Sequence, residues 1–168
     1  MSLPGRIRQL NGKQFWSLFK VFAIRPQYIF PTYKATQETV RIANRLYKKE
    51  HHHNNVTNAF RHGLWNFKIA KKCLPKNNSI EKSMAWAKTI TDLHEKLMPN
   101  KSLPEAMDLH NNAVGRKMFA KHHKVSSEKM VIKIFTDLIP EAVKIDTTKN
   151  LKEHQDQLVY IEEYEHER

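Results

Sequence analysis

Apolar side chains recur at helical spacing through four long stretches of this chain, and helix-ending residues separate the stretches. Between residues 32 and 50, for example, Ala35, Ile42 and Leu46 share one helical face. Signals for strands are sparse, because the sequence has only four glycines and few alternating runs of Val, Ile and Thr. The pattern predicts an all-α fold, a single compact bundle of about six to seven helices.

Capping and helix-ending residues set the limits of the predicted helices. Asn55 and Ser79 are suitable N-cap residues, as is Ser126 or Ser127, and Ser102-Leu103-Pro104-Glu105 has the pattern of a capping box. The predicted helices cover residues 14–23, 32–50, 55–73, 79–98 and 103–122, a sixth segment that ends before Pro140, and an acidic segment over 148–163.

The chain length of 168 residues suits one domain, and neither a repeat nor a clear linker divides it. Within this single domain we distinguish a basic, aromatic N-terminal extension (1–31), a core rich in polar motifs (55–120) and an acidic C-terminal helix or tail (148–168). Pro26 and Pro31 are expected to bracket an extended connector, because proline disfavours helix in the residue before it.

The charge of the chain is strongly positive and uneven. The net charge is +12, and the last 18 residues hold −4, so the other 150 residues carry +16. Such a body favours polyanions, and we expect an anionic ligand or substrate, with nucleic acid or an anionic membrane surface as alternatives. A basic surface that only maintains solubility is the other interpretation.

The N-terminal apolar run is too short to span a bilayer and lacks a signal-peptide cleavage pattern, so a cytoplasmic protein is expected. Two interpretations of this run remain. It forms an ordinary helix that docks on the core, or it lies on a membrane with aromatic side chains inserted and lysines at the headgroups. The residues concerned are Lys13, Phe15, Trp16, Phe19, Lys20 and Phe22.

Polar residues cluster inside the predicted helices, where helix propensity does not explain them. On the third helix, Asn58, His62, Trp65 and Asn66 follow the spacing i, i+4, i+7 and i+8 and share a face, with Arg61 at its edge. This donor-rich face suits phosphate, carboxylate or an oxyanion. An interhelical hydrogen-bond network is the alternative.

The fifth predicted helix carries a continuous polar stripe formed by Asp108, Asn111, Asn112, Gly115 and Arg116. Gly115 costs about 1 kcal/mol relative to alanine inside a helix. That cost indicates close approach by another backbone, a bulky side chain or a ligand.

His94-Glu95 forms the third cluster, without the second histidine of a His-Glu-x-x-His motif. Either residue could act as a general base. Together with His62 and Asp108 they form a mixed nitrogen and oxygen set suitable for Zn²⁺ or another divalent ion, although no spacing demands a metal. A surface salt-bridged pair is the alternative.

Two other features are expected to be structural. Consecutive histidines cannot easily close one metal shell, so His51-His52-His53 is interpreted as a solvated loop. Cys73, the single cysteine, lies at a helix end and is expected to be a small buried residue rather than a nucleophile.

The three clusters, taken in order, resemble a small bacterial all-helical domain family of unknown function that also occurs in toxin-like bacterial proteins. The resemblance covers about residues 55–120 and implies that the polar residues of the three clusters belong together. It rests on the motifs Asn58-Ala59-x-Arg61-His62-x-x-Trp65-Asn66, His94-Glu95 and Met107-Asp108-x-x-Asn111-Asn112-x-x-Gly115-Arg116.

The sequence therefore predicts a polar site, interpreted as that of a hydrolase acting on an anionic phosphoester or phospholipid-like substrate. The alternatives are a basic module that binds nucleic acid or anionic membrane, and a helical protein-interaction module. The predicted catalytic residues are His62, His94, Glu95 and Asp108. The predicted substrate-binding residues are Asn58, Arg61, Trp65, Asn111, Asn112 and Arg116.

Overall fold

A computed structural model describes residues 12–97 and 100–161 and places six α-helices in them. The helices are α1 Gly12–Ile24, α2 Ile29–Tyr47, α3 Val56–Cys73, α4 Ile80–Leu97, α5 Ser102–His122 and α6 Glu128–Asp137. Short 3-10 turns lie at Pro26–Tyr28, Glu50–His52, Leu74–Lys76 and Leu151–His154. The strands β1 Val143–Lys144 and β2 Val159–Tyr160 form one parallel pair. The prediction of an all-α helical bundle is confirmed.

Helix α3 is the centre of the bundle and contacts α2, α4, α5 and α6. Its apolar residues Phe60, Leu64 and Phe67 are fully buried. The Phe67 ring packs edge to face against Phe119 of α5 and Phe135 of α6, a favourable aromatic geometry. A helix surrounded in this way buries its polar residues as well, which is why the third helix can place a polar cluster inside the protein.

Helices α3 and α5 cross at two glycines. A Cβ atom added to Gly115 would lie 2.8 Å from the Gly63 carbonyl carbon and 2.9 Å from its Cα. A Cβ atom on Gly63 would lie 2.9 Å from the Phe135 ring. The close approach expected at Gly115 is thus confirmed, and its partner is another backbone. The crossing brings the residues beside each glycine face to face.

Three of the predicted helix caps are confirmed. The Asn55 side chain accepts from the amides of Thr57 and Asn58, Ser79 Oγ accepts from the Lys82 amide, and Ser127 accepts from the Met130 amide. These contacts fix the first turns of α3, α4 and α6.

The predicted capping box at the start of α5 is wrong. Helix α5 begins at Ser102, the N-cap is Lys101, and no side chain caps it. Because the helix starts one residue earlier than the box requires, the Lys101 carbonyl accepts the Glu105 amide and Ser102 lies inside the first turn.

The extended connector predicted between Pro26 and Pro31 is also wrong. Pro26 begins a 3-10 turn, and Pro31 is the third residue of α2. Amides in a first turn have no acceptor within the helix, so proline loses nothing there. Helix α2 consequently starts at Ile29, before the predicted residue 32.

The acidic C-terminal helix predicted over 148–163 is not found, and residues 162 and 163 lie outside the described residues. A 3-10 turn is followed by β2, which pairs with β1 in the register Val143 to Val159. Leu158 and Val159 are both fully buried. In extended chain, adjacent side chains point to opposite sides, so Leu158 and Val159 can both be buried against different neighbours. On a helix the two side chains would point only about 100° apart.

The N-terminal run forms α1 as predicted, and its two sides differ. Phe22 packs edge to face against Trp86 at 5.8 Å between ring centroids, so one side docks on the core. Trp16 and Phe19 are 54% and 51% exposed on the other side. The side chains of Lys13 and Phe15 lie outside the described part of the chain.

Candidate functional site

Three ionisable side chains meet where α3, α4 and α5 come together. His62, Glu95 and Asp108 are each at least nine-tenths buried, and one potential metal-ligating atom from each lies within 4.8 Å of the others. His62 Nδ1 is 3.8 Å from Glu95 Oε1, and His62 Nε2 is 3.4 Å from Asp108 Oδ1. Residues from three separate sequence clusters thus form one buried centre.

Asn112 links the members of this centre. Its Oδ1 accepts from His62 Nδ1 at 3.2 Å and from Asn66 Nδ2 at 2.6 Å. Its Nδ2 donates to Glu95 Oε1 at 3.4 Å. The crossing at Gly63 and Gly115 makes these contacts possible, because it brings α3 and α5 close enough for short amide side chains to meet.

The hydrogen-bond network continues from Asn66 to two further residues. Asn66 Oδ1 accepts from Arg116 Nη1 at 2.8 Å and from Thr91 Oγ1 at 3.3 Å. Asn66 is fully buried, so these bonds offset the cost of removing its amide from water. The network holds the side of α3 that carries His62.

Arg61 lies on the other side of His62 and fixes the position of its proton. Its Nη1 donates to the His51 carbonyl at 2.8 Å, and its Nη2 lies 2.7 Å from His62 Nε2 and 3.4 Å from Asn58 Oδ1. Since a guanidinium only donates, Nε2 accepts and Nδ1 carries the proton that it shares with Asn112. Burial and the Arg61 charge hold the pKa of His62 well below its usual value, so His62 is neutral.

Asp108 is the least satisfied member of the centre. Its Oδ1 is buried and has no hydrogen-bond donor. The nearby His62 Nε2 cannot serve as one, because it already accepts from Arg61. Burial raises the pKa of Asp108 to about 7, and burial together with the Asp108 charge raises the pKa of Glu95 to about 8. Two acids of this kind require either protons or a cation.

A protein-family match covers most of the helices that form this site. The model of the Domain of unknown function (DUF6973) matches residues 19–143, about three quarters of the chain. The chain belongs to the DUF6973 family. The match includes every residue of the buried centre and ends at the first residue of β1. No significant match was found among curated proteins.

In this DUF6973 domain the edge of the centre is formed by half-buried side chains. Trp65 Nε1 donates to Thr36 Oγ1 of α2 at 2.9 Å. The Trp65 ring lies edge-on to His94, 5.1 Å away, and to His62, 6.4 Å away. His94 is therefore beside the centre, whereas its neighbour Glu95 lies within it.

Asn111 makes different contacts from the other predicted binding residues. Its Nδ2 donates to the Val159 carbonyl at 2.8 Å, and its Oδ1 accepts the Val159 amide at 2.9 Å. Both amide atoms are thereby used to hold β2 against α5. Asn111 therefore supports the fold of this DUF6973 domain and has no amide atom left for a ligand.

His51 corrects the expectation of a solvated histidine loop. It is fully buried, and its Nε2 lies 2.8 Å from Asn44 Oδ1. Burial lowers the pKa of His51 to about 4. Cys73 is buried as predicted, and burial raises its pKa to about 12, which leaves it as an unreactive thiol.

Asn66 was predicted to lie on the polar face of the third helix but was not assigned to the site. Three other residues of the network were not predicted to belong to it: Thr36, His51 and Thr91. Thr91 had a sequence signal, because it lies four residues before Glu95 on the same helix. Thr36 and His51 had none, since their contacts join separate elements.

A surface pocket of about 290 Å³ lies elsewhere, between α2, α3 and α6. Lys68 in this pocket is paired with Glu38 at 2.9 Å and with Glu128 at 3.3 Å. Its positive charge is therefore already compensated. None of the helices in the described residues has the length and apolar character needed to cross a bilayer.

Proposed function

We propose that this protein is a hydrolase of anionic phosphoesters and that His62, Glu95 and Asp108 hold a divalent metal ion. The observation that carries the proposal is the convergence of these three buried side chains around an Asp108 oxygen that has no donor. Three ligands of this type leave a coordination position for water or substrate, as catalytic zinc sites do.

The spacing of the donor atoms fits a metal site that contracts slightly on binding. The three atoms lie within 4.8 Å of one another. Bonds of about 2.0 to 2.2 Å in tetrahedral geometry separate ligand atoms by roughly 3.4 Å. A shift of about 1 Å, within the reach of side-chain rotation, is enough to close the set. A bound divalent ion would lower the pKa of a water and polarise a phosphoryl oxygen.

The donor set also favours a cation over a purely structural role. Structural polar networks leave few buried charged oxygens without a donor, because the cost of such an oxygen is high. Here Asn112, Asn66 and Arg116 are connected, yet Asp108 Oδ1 is not. The unsatisfied oxygen supports a site that is completed by something outside the protein.

The two arginines supply the affinity for an anionic substrate. Arg61 and Arg116 are half-buried at opposite sides of the network and carry positive charge beside the centre. A guanidinium suits bidentate binding of phosphate oxygens. In the proposal Arg61 leaves His62 Nε2 when the metal ion binds, which frees that nitrogen as a ligand and turns the guanidinium toward the substrate. His94, beside Trp65, is positioned to transfer a proton at the edge of the centre.

Calorimetric titration with Zn²⁺ and Mn²⁺ tests the metal site, with hydrolysis of bis(p-nitrophenyl) phosphate as the activity readout. We expect one ion per chain, and Asp108→Asn and His62→Ala should weaken binding at least about 100-fold. Both variants should retain the helical circular-dichroism spectrum.

His110→Ala is the matched control, because His110 lies on α5 two residues from Asp108 and bonds the Gln157 carbonyl instead. It should bind metal as the parent protein does. Absence of metal binding by the folded parent protein would refute the site. Metal binding without hydrolysis of any phosphoester in a substrate panel would refute the reaction and leave a metal-binding domain.

A further inference from the structure

Helices α1 and α2 present large apolar side chains to solvent. The exposed fractions reach 74% for Ile24, 62% for Phe30 and 54% for Trp16. Leu46 is also exposed, near the end of α2 and on its other side. The remaining large exposed apolar residues of the two helices, which we call the apolar face, are Trp16, Phe19, Ile24, Ile29, Phe30, Tyr33 and Val40. Such a group exceeds the single exposed apolar residues that soluble proteins commonly show.

The apolar face is a consequence of helix geometry rather than of scattered residues. Trp16, Phe19 and Ile24 follow the spacing i, i+3 and i+8 on α1, and Ile29 and Tyr33 are one turn apart on α2. The opposite sides of both helices pack in the core. Each helix is therefore fixed by one apolar side while a second apolar side faces outwards.

Positive charge lies beside the apolar face. Residues 12–49 contain eight basic residues and one acidic residue, Glu38. The Glu38 carboxylate is bound by Lys72 at 2.8 Å and Lys68 at 2.9 Å, on α3. Lys20 lies 5.5 Å from the Trp16 ring and Lys34 lies 4.6 Å from the Phe30 ring. Aromatic side chains with lysines beside them are typical of proteins that bind at a lipid interface.

We propose that the apolar face docks this protein on an anionic lipid bilayer, with the aromatic and aliphatic side chains inserted below the headgroups. A second copy of the chain is disfavoured as the occupant, because two such faces would bring like charges together. Nucleic acid explains the charge but gives Ile24, Ile29 and Val40 no partner. An anionic bilayer matches both the charge and the apolar side chains, and this inference does not depend on the proposed hydrolase activity.

Vesicle flotation tests the proposal with phosphatidylcholine vesicles and with phosphatidylcholine–phosphatidylserine vesicles. The full chain should bind the anionic vesicles at least about tenfold more tightly than the neutral ones. The double variant Trp16→Ser/Phe30→Ser should lose at least about tenfold of that affinity. Met130→Ser is the matched control, because Met130 is 58% exposed on α6, outside the apolar face, and should leave binding unchanged.

Tryptophan fluorescence then reports insertion at a defined residue. Emission should shift to the blue when anionic vesicles are added, and Trp16→Phe should remove the shift while preserving flotation. Trp65 is half-buried and Trp86 is buried, so neither should respond. Equal binding to neutral vesicles, no loss in the double variant, or binding of RNA or of a second copy with no vesicle binding would each overturn the proposal.

Discussion

The buried polar centre and the apolar face both reverse the usual distribution of side chains, and they do so in different ways. In the centre, polar groups lie inside the protein and almost all find partners, with Asp108 Oδ1 as the exception. On α1 and α2, apolar groups lie outside and nothing in the described structure covers them. The unsatisfied Asp108 oxygen inside and the uncovered surface outside are both places, within the described residues, where the folded chain lacks a partner of its own; the buried His51 Nδ1 is a further one.

The buried centre and the apolar face also differ in how much they contribute to the stability of the fold. The centre is tied to the crossing of α3 and α5, so a change there affects packing as well as chemistry. The apolar face contributes little to the core, because its members are exposed while Phe22 and Tyr28 make the buried contacts. Stability measurements can therefore tell the two regions apart.

The largest effect is expected at the helix crossing. Gly115→Ala places a methyl group against the Gly63 backbone, which cannot move without separating α3 from α5. We expect a loss of about 4 kcal/mol in the free energy of unfolding, measured by urea denaturation. Gly12→Ala is the control, because no atom of the described residues lies within 4 Å of the added atom, and it should change stability by less than about 0.5 kcal/mol. Similar values for both variants would show that the crossing is not tight.

The second-largest loss of stability is expected at Asn112, which connects the members of the buried centre. Asn112→Ala removes the acceptor of His62 Nδ1 and Asn66 Nδ2 and the donor to Glu95. Leaving buried polar atoms without partners should cost about 3 kcal/mol in the free energy of unfolding. Ala113→Ser, at a half-buried position on the same helix, provides the comparison. A loss below about 1 kcal/mol for Asn112→Ala would mean that a buried water takes over the hydrogen bonds of the amide.

Substitution of Asp108, unlike that of Asn112, should stabilise the protein. Asp108→Asn removes a buried acid whose Oδ1 has no donor, so it should stabilise the metal-free protein by about 2 kcal/mol at pH 8. The measurement is urea denaturation in the presence of a chelator. Destabilisation by this variant would show that Asp108 has a partner in the folded protein.

The same acid predicts a pH dependence of stability. The pKa values of Asp108 and Glu95 are raised to about 7 and about 8, so the folded state holds protons that the unfolded state has released. That stabilisation is full below the unfolded values near 4 and is lost as pH rises through the folded values. Below pH 6.5 the buried neutral His51 and His62 oppose the trend, because the unfolded chain then binds protons that these histidines exclude.

The two acids therefore dominate the pH dependence of stability only above the pKa of histidine in the unfolded chain, near 6.5. Between about pH 6.5 and 8 the parent protein should lose about 1 to 2 kcal/mol in the presence of a chelator, and Asp108→Asn should show a flatter profile. Identical profiles for the two proteins would place the titration at another group.

The sequence predicted the elements of this fold better than the contacts between them. Periodicity and the caps at Asn55, Ser79 and Ser127 gave correct helices, because a helix depends on residues three and four apart. The failures at Pro31 and at β2 are of another kind. Proline at the start of a helix and a two-residue strand are decided by what lies beside them in space.

For the site as well, local features were predicted from the sequence and contacts between distant segments were not. Clustering of polar residues on helix faces predicted which side chains are buried together, including His62, Glu95 and Asp108. Spacing did not predict that Asn111 would bind Val159 or that His51 would meet Arg61, because these contacts join distant segments. The roles of the site residues in binding and hydrolysis remain predictions.

The smallest effect is expected on the apolar face, and it completes the comparison. Phe19→Ser removes a ring that is half exposed, so the free energy of unfolding should change by less than about 0.5 kcal/mol. Phe22→Ser, three residues along the same helix, removes the ring that contacts Trp86 and should cost about 2 kcal/mol. Equal losses in the two variants would mean that Phe19 also packs against the protein and that the face is covered. A neutral Phe19→Ser instead shows that the Phe19 ring does not stabilise the fold, as expected for a side chain that contacts a lipid surface.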